Sequence, residues 1–300
     1  LVGMINYSFI IPHHNGPILL NRLLASIPQR SDIEIIVVDD NSDELQKPQI
    51  SRSDVQIIYI SEANSKGAGH ARNIGLEKAK GQWLLFADSD DCYVEGFVDE
   101  LDKYLESEVD IVFFNAYIGY NNTKPHEVKT PNFFDIIYQD YEASNKTDFD
   151  LHKMAMRASY PWNKMIKRSF LKSIDACFEE VPIGNDTWFS NYVGSKITSA
   201  HILNKKIYCY YIYSNNTTNR KRPLNHYYIT INTTIKVNTL KKEKGLLRYS
   251  FFPGFYIKNV KRDYGNMIVL KLYLYYLIHD HNSIRIILAK IKSRINHLLH

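Results

Sequence analysis

Three acidic residues follow an apolar segment in the first third of the chain. Residues 83–87 are Trp-Leu-Leu-Phe-Ala without a polar interruption, and Asp88, Asp90 and Asp91 come directly after them. Such a run is typical of a central strand that is buried on both faces of a parallel sheet. Ligands bind beyond the carboxyl ends of such strands, and crowded carboxylates suit Mg²⁺ or Mn²⁺. The segment therefore predicts a cation site able to hold a diphosphate.

Each acidic position also has a structural alternative. Residues 94–101 have the pattern of an amphipathic helix, and acids placed just before a helix often cap it. Asp186 follows Gly184 at the start of a second predicted helix, over 187–193. Its carboxylate is either an N-cap or a general base, and the local sequence leaves both open.

A glycine-rich segment supplies a candidate cationic contact. Residues 67–75 lead into a helix, but they lack the Gly-Lys-Ser/Thr of a P-loop, and Arg72 stands where a dinucleotide fingerprint has its third glycine. A guanidinium pairs with oxygens in a bidentate manner, so Arg72 is predicted to contact a nucleotide base or diphosphate. The alternative is that it caps a turn or pairs with a surface acid.

Alternating strands and helices position these residues. Strands with few polar residues are predicted over 7–11, 33–38, 55–60, 83–87 and 110–115, with helical patterns between most of them. This order indicates a mainly parallel α/β sheet. Three later segments are predicted as an irregular aromatic cover over the site (117–141), a tyrosine-rich strand (205–213) and a helix (223–244).

Composition restricts the class of protein. The 300 residues are 45% hydrophobic and 23% charged, enough for a large core, and the net charge of +5 suits an anionic ligand or simply a basic surface. Cys92, Cys177 and Cys209 are far apart in sequence, which favours reduced thiols and argues against zinc. No signal-peptide pattern begins the sequence. We expect a cytoplasmic protein with no nucleic-acid partner.

The C-terminal segment 284–299 has its own pattern. Isoleucine and leucine recur at helical spacing among Arg285, Lys290, Lys292 and Arg294. Such a helix either lies on an anionic membrane, here the inner face of the cell membrane, or packs on its own domain. No apolar stretch reaches the length that spans a bilayer.

Five segments in order resemble glycosyltransferase family 2, the inverting GT-A enzymes that use nucleotide sugars. They are Phe-Ile-Ile-Pro-His-His-Asn (9–15), Val-Val-Asp-Asp-Asn-Ser (37–42), Ala-Arg-Asn-Ile-Gly (71–75), Phe-Ala-Asp-Ser-Asp-Asp (86–91) and Gly-Asn-Asp-Thr-Trp-Phe (184–189). The resemblance implies a GT-A fold, a mainly parallel sheet flanked by helices. It places a catalytic domain over 1–215, with a nucleotide-sugar half (1–116) and an acceptor half (117–215), and a helical extension over 216–300.

The resemblance also implies roles for single residues. Asp186 would be the catalytic base, and Asp90 the main ligand of Mn²⁺ or Mg²⁺, with Asp88 or Asp91 beside it. The acceptor would contact Trp162, Lys164 and Trp188. The nucleotide, usually bound through uracil at Asp40, would contact Pro12, His14, Asn15, Asp40, Arg72, Asp88 and Ser89.

Two positions depart from the family pattern. The family usually has Tyr where His14 stands, which changes the pocket contact. It usually has Glu where Asn185 precedes the presumed base, so the charge that would tune Asp186 is missing.

The expected activity is transfer of a sugar, with inversion, from a nucleotide-diphosphate sugar to a saccharide or lipid-linked saccharide acceptor. One alternative is a nucleotidyltransferase that makes sugar nucleotides. It would need a glycine-rich, Arg-containing loop directly after the first strand, and Pro-His-His-Asn at 12–15 is not one. The other is a non-catalytic nucleotide-binding scaffold, which hydrolysis assays on nucleotide sugars with Mn²⁺ would distinguish.

Overall fold

A computed structural model describes residues 4–120, 132–213, 221–251 and 254–287. The strands are β1 (Tyr7–His13), β2 (Ile33–Asp40), β3 (Val55–Ile60), β4 (Trp83–Phe86), β5 (Cys92–Tyr93), β6 (Ile111–Tyr120), β7 (Lys164–Lys167) and β8 (Ala200–Ile212). The α-helices are α1 (Pro17–Ser26), α2 (Ala68–Lys78), α3 (Phe97–Asp102), α4 (Phe133–Glu142), α5 (Asp148–Arg157), α6 (Arg168–Ser173), α7 (Asn185–Lys196), α8 (Leu224–Glu243), α9 (Gly254–Tyr264) and α10 (Asn266–His279).

The strands form one sheet in the order β3-β2-β1-β4-β7-β6-β8-β5. Strands β1 to β4 pair in parallel, with β1 between β2 and β4. Strand β7 is antiparallel to both of its neighbours, while β6 and β8 are parallel. The predicted mainly parallel sheet is therefore present, and the carboxyl ends of β1, β2 and β4 share one edge.

Period-two alternation along the central strands divides the core between the two faces of the sheet. Phe9 packs with Leu85, α1 and α3 on one face. Ile10 packs with Phe86 and with helices α2, α5, α6 and α7 on the other. Because both faces are covered, these strands have the mainly apolar sequences noted above.

The helices after residue 221 have a small core of their own. Tyr227 and Ile231 of α8 pack with Val260 of α9 and with Leu272 and Tyr276 of α10. Helix α8 also reaches α7, because its Thr233 lies against Gly184 and its Lys236 pairs with Glu179. Of the helices described, none is both long and apolar enough to cross a bilayer.

The second half of the chain differs from the sequence-based prediction. The stretch 117–141 is not an irregular cover where it is described, because β6 extends to Tyr120 and a capping box at Asn132 starts α4. Residues 121–131 lie outside the described part. The antiparallel strand β7 was not predicted, since its four residues, Lys-Met-Ile-Lys, carry no clear alternation. The predicted amphipathic helix over 284–299 also lies mostly outside the described residues.

Candidate active site

A cleft of about 780 Å³ opens at the carboxyl ends of β1, β2 and β4. Its volume is in the range of small-molecule sites. Eight residues predicted from the sequence line it together: Pro12, His14, Asn15, Asp40, Arg72, Asp88, Ser89 and Asp90.

The end of β2 supplies a carboxylate oxygen that is free to accept a hydrogen bond. Asp40 is 7% exposed, and its Oδ2 accepts a hydrogen bond of 2.8 Å from the backbone N–H of Gly67 at the start of α2. Its Oδ1 is buried and has no hydrogen-bond partner within the described residues. A buried carboxylate oxygen left in this way suits a ligand N–H, such as that of a nucleobase.

The loops after β1 and β2 are tied to each other. His14 Nδ1 donates to the Asp40 carbonyl oxygen at 2.9 Å. The Asn15 backbone N–H donates to Ser42 Oγ at 2.9 Å, and the Asn15 side chain receives the N–H of Asp43 at 2.8 Å. Asn15 has a φ of 52°, a left-handed conformation that Asn adopts more readily than most residues. These bonds fix one wall of the cleft.

Arg72 crosses the floor of the cleft. Its side chain is 7% exposed; one nitrogen donates to Asp88 Oδ1 at 2.6 Å and another to Asn185 Oδ1 at 2.9 Å. It therefore pairs with an acid of the cleft and does not cap a turn. Asn185, noted as a departure from the family pattern, thus joins helix α7, which carries Asp186, to Arg72 as a neutral hydrogen-bond acceptor.

The residues 88–91 do not cap a helix. Helix α3 begins only at Phe97, behind Gly96, and a turn followed by β5 lies between. Asp88 and Asp90 both line the cleft. Burial, together with the nearby Asp88 charge, raises the pKa of Asp90 to about 6. The capping alternative is therefore wrong for this segment, and two carboxylates that interact electrostatically line the cleft.

The carboxylate pair suits a divalent cation that shares its ligands with a phosphate. Hard oxygen donors bind Mg²⁺ and Mn²⁺, and Mg²⁺ sites often combine one or two carboxylates with substrate phosphates. Across the part of the chain that is described, no three His, Cys, Asp or Glu side chains are grouped to hold a metal. Asp88 and Asp90 alone therefore fit part of a coordination sphere.

The metal-ligand prediction for Asp91 needs correction. Its side chain is fully buried, and Oδ1 accepts the backbone N–H of Tyr211 at 2.8 Å. Burial, followed by the charges of Asp90 and Asp88, raises its pKa well above the usual range. Asp91 therefore anchors β8 beneath the cleft and does not reach a ligand within it.

Asp186 lies at the first turn of α7, close to the acids of the cleft. The N-cap position is Gly184, whose φ of 84° favours glycine, so Asp186 is not the capping residue. Its Oδ1 accepts the N–H of Thr187 at 2.8 Å. Burial raises the pKa of Asp186, against the opposing effect of the Arg72 charge, and the Asp88 charge adds to the rise. Asp186 therefore lies within electrostatic reach of the cleft, although it is not among the residues that line it.

Two of the three predicted acceptor contacts lie inside the protein. Trp162 and Lys164 are each 1% exposed, so neither presents a surface to a ligand. The Trp162 ring stacks on Tyr208 at 4.8 Å, and the Tyr208 hydroxyl accepts the backbone N–H of Asp88 at 3.0 Å. Lys164 Nζ donates to the carbonyl oxygens of Ala158 and Tyr160 at 2.8 and 2.5 Å. Both residues support the site from below.

Trp188, the third predicted acceptor contact, lies close to Asp186 in sequence. It is half-buried in the first turns of α7, two positions after Asp186. Its ring stacks on Tyr192 at 5.5 Å, and the Lys236 ammonium lies 5.7 Å from the ring centre. An acceptor contact for Trp188 stays a prediction.

The buried Lys164 gives a pH-dependent stability. Burial lowers its pKa to about 7, whereas an unfolded lysine has a pKa near about 10.4. Above pH 7 the unfolded chain therefore binds more protons, and the free energy of unfolding is expected to rise by up to roughly 1.4 kcal/mol per pH unit between about pH 7 and 9. Urea unfolding of the wild type and Lys164→Met checks this. An equal slope in both proteins would contradict it.

Some contacts at the site join residues that are far apart in sequence, and these were not predicted. Arg22 of α1 donates to the backbone carbonyl of Asp90 and, at 2.7 Å, to the hydroxyl of Tyr213, which also lines the cleft. The Arg22 guanidinium lies 4.0 Å above the Tyr211 ring. Because these partners are far apart in sequence, no local pattern indicates them.

Comparison with solved structures shows the fold class. The chain superimposes on Staphylococcus aureus TarS 1-349 in complex with UDP-GlcNAc with a TM-score of 0.66 at 19% identity, covering 91% of this chain and 79% of that one. The predicted GT-A class, an α/β sheet flanked by helices with a helical C-terminal region, is confirmed.

The sequence comparisons show the family. The family described as Glycosyl transferase family 2 matches residues 8–173, more than half of the chain. The chain belongs to that family.

The chain is similar to parts of longer glycosyltransferases. Glycosyltransferase GlyA of Streptococcus pneumoniae is 27% identical over 219 residues, 68% of this chain and 30% of that protein. The GalNAc(5)-diNAcBac-PP-undecaprenol beta-1,3-glucosyltransferase of Campylobacter jejuni is 30% identical over 193 residues, 62% of this chain and 59% of that protein. The chain therefore spans less than two thirds of either relative.

Proposed function

We propose that this protein transfers a sugar, with inversion, from a UDP-sugar to a saccharide acceptor. The observation that carries the proposal is the cleft, which brings together the Asp40 carboxylate, suited to a nucleobase, and the Asp88 and Asp90 carboxylates, suited to a cation. Asp186 does not line the cleft, but it lies near enough to Arg72 and Asp88 for their charges to act on it. The UDP-GlcNAc complex of TarS supports the choice of donor class.

The proposed chemistry is a single displacement at the anomeric carbon. Asp186 accepts the proton of an acceptor hydroxyl while that oxygen attacks the carbon from the face opposite the leaving diphosphate. A raised pKa makes Asp186 a stronger base than an exposed aspartate, and it remains active only while deprotonated. Mn²⁺ or Mg²⁺, held by Asp88 and Asp90, would offset the charge of the departing UDP.

The acceptor belongs, in our proposal, to a surface polysaccharide or a lipid-linked glycan. Support comes from the name of the Campylobacter jejuni relative, which places a lipid diphosphate in its substrate. Peripheral contact of segment 284–299 with the inner face of the cell membrane goes with this proposal. The net charge of +5 is compatible with an anionic surface.

The proposed contact between Asp40 and the nucleobase predicts a loss of affinity for UDP that inorganic diphosphate does not share. Replacing Asp40 with Asn removes a charged acceptor from a buried site, and hydrogen bonds to charged groups contribute about 1.5 to 3 kcal/mol. UDP affinity measured by calorimetry with Mn²⁺ is expected to fall roughly 10-fold to 100-fold, while affinity for inorganic diphosphate stays unchanged. The exposed Asp99→Asn change on α3 is the charge-matched control.

If Asp40→Asn lost equal affinity for UDP and for diphosphate, Asp40 would not contact the nucleobase. Hydrolysis of a panel of nucleotide sugars with Mn²⁺ tests the wider proposal. Turnover of UDP-sugars above other donors supports it. Metal-dependent UDP binding without any turnover or transfer would instead favour a non-catalytic scaffold.

A further inference from the structure

Two cysteines face each other across the edge of the sheet, next to the cleft. Strand β5 pairs antiparallel with β8, and Cys92 stands directly opposite Cys209. Both are free, and their side chains lie close enough for each thiol to shift the pKa of the other. Cys92 is half-buried and Cys209 is 5% exposed, so a small reagent reaches Cys92 first. The sequence pattern gave no sign of this pairing, because 117 positions separate the two residues.

The backbone geometry permits a bond between the two sulfurs. The N–H of Val94 donates to the carbonyl of Ile207 at 2.9 Å. Hydrogen-bonded and non-hydrogen-bonded pairs alternate in an antiparallel ladder, so Cys92 and Cys209, two positions on, form a hydrogen-bonded pair. Such pairs have Cα atoms about 5.5 Å apart, within the range of about 4.4 to 6.8 Å that disulfides span.

The pair is connected to the residues proposed to bind the cation. Cys92 follows Asp90 and Asp91 directly. Arg22 holds the Asp90 carbonyl from α1, and Asp91 holds the backbone N–H of Tyr211, two residues after Cys209. Arg22 also donates to the hydroxyl of Tyr213, just after β8, so a change in the separation of β5 and β8 acts on the contacts of both Asp90 and Asp91.

We propose that Cys92 and Cys209 form a reversible intramolecular disulfide that weakens cation-dependent binding of UDP at the adjacent cleft. The binding consequence rests on the proposed function, whereas formation of the bond does not. Because Cys92 is only half-buried, a small thiol can reach the bond and reduce it again.

The oxidant is a low-molecular-weight disulfide such as oxidised glutathione. The Cys92 thiolate attacks one of its sulfurs, which forms a mixed disulfide and releases one glutathione thiolate. The Cys209 thiolate then attacks Cys92 Sγ, which closes the protein disulfide and releases the second glutathione. Two protein thiols are oxidised, one small disulfide is reduced to two glutathione thiolates, and these take up the two protons that the protein thiols lose.

The test is to equilibrate the full chain with reduced and oxidised glutathione and to map its peptides by mass spectrometry. We expect Cys92 and Cys209 to be lost together as one linked peptide pair, and Cys177, which is exposed, to carry glutathione instead. In parallel, UDP affinity with Mn²⁺ is expected to fall about tenfold, or about 1.4 kcal/mol, and to return after dithiothreitol.

Matched variants separate the outcomes. Cys177→Ser should keep the full response, Cys92→Ser should lose it, and Cys209→Ser should stop at a glutathione adduct on Cys92. Thermal melting of the reduced variants establishes that each is folded. Independent glutathionylation of Cys92 and Cys209 in the wild type would overturn the proposal, as would a disulfide that leaves UDP affinity unchanged. If the reduced protein binds no UDP at all, the proposed function fails while the peptide map still reports on the disulfide.

Discussion

Replacing Asp186 with Asn is expected to lower the rate of sugar transfer by roughly 10²-fold to 10⁴-fold, the range that a general base contributes. The amide cannot accept the acceptor's proton, but it keeps the size and the hydrogen bond to Thr187 N. UDP affinity should stay nearly constant, because Asp186 acts on the acceptor. Initial rates with a UDP-sugar and calorimetric titration of UDP together measure this separation.

The pH profile sharpens the test of Asp186. Since the base works only when deprotonated, the wild-type transfer rate should rise with pH through a pKa above that of an ordinary aspartate. The residual rate of Asp186→Asn should lack this rise. The exposed Asp99→Asn variant should behave as the wild type. Near-normal transfer by Asp186→Asn would mean that the carboxylate only stabilises the start of α7.

The second large effect is expected at Asp90. Replacing it with Asn removes one of two carboxylates that line the cleft, and loss of a supporting group already costs about 10-fold to 100-fold in metal affinity. A direct ligand should cost at least as much. We expect UDP affinity in Asp90→Asn to become nearly independent of Mn²⁺ concentration, while metal-free UDP affinity is kept.

The measurement is a series of UDP titrations over a range of Mn²⁺ concentrations, for the wild type and for Asp90→Asn. Asp91→Asn provides an informative comparison, because Asp91 is buried against Tyr211 N and should affect stability more than the Mn²⁺ dependence. An unchanged Mn²⁺ dependence in Asp90→Asn would remove Asp90 from the cation site.

The sequence predicted the strands and the acids that follow them because both depend on local patterns. Mainly apolar runs identified β1, β2 and β4, and acids at the ends of β2 and β4 meet at one edge as parallel pairing requires. Asp186 was recognised through a motif, and its helix begins at Asn185, two residues before the predicted start at 187.

What the sequence could not show was which polar and aromatic residues are buried. Trp162 and Lys164 were expected to face an acceptor, but they lie beneath the site, because β7 inserts between β4 and β6. Asp91 looks like its neighbours in the motif, yet the chain turns so that it faces Tyr211. Burial of this kind depends on strand order, and a short strand such as β7 carries too few residues to predict it.

The proposed function requires that Asp40, the carboxylate pair of Asp88 and Asp90, and Asp186 all act on one bound UDP-sugar. A crystal structure with Mn²⁺ and a non-hydrolysable UDP-sugar tests it most directly. The account predicts the uracil against Asp40, the diphosphate and Mn²⁺ against Asp88 and Asp90, and the anomeric carbon facing Asp186 across a gap that admits one hydroxyl. A nucleotide bound elsewhere, or an anomeric carbon turned away from Asp186, would contradict it.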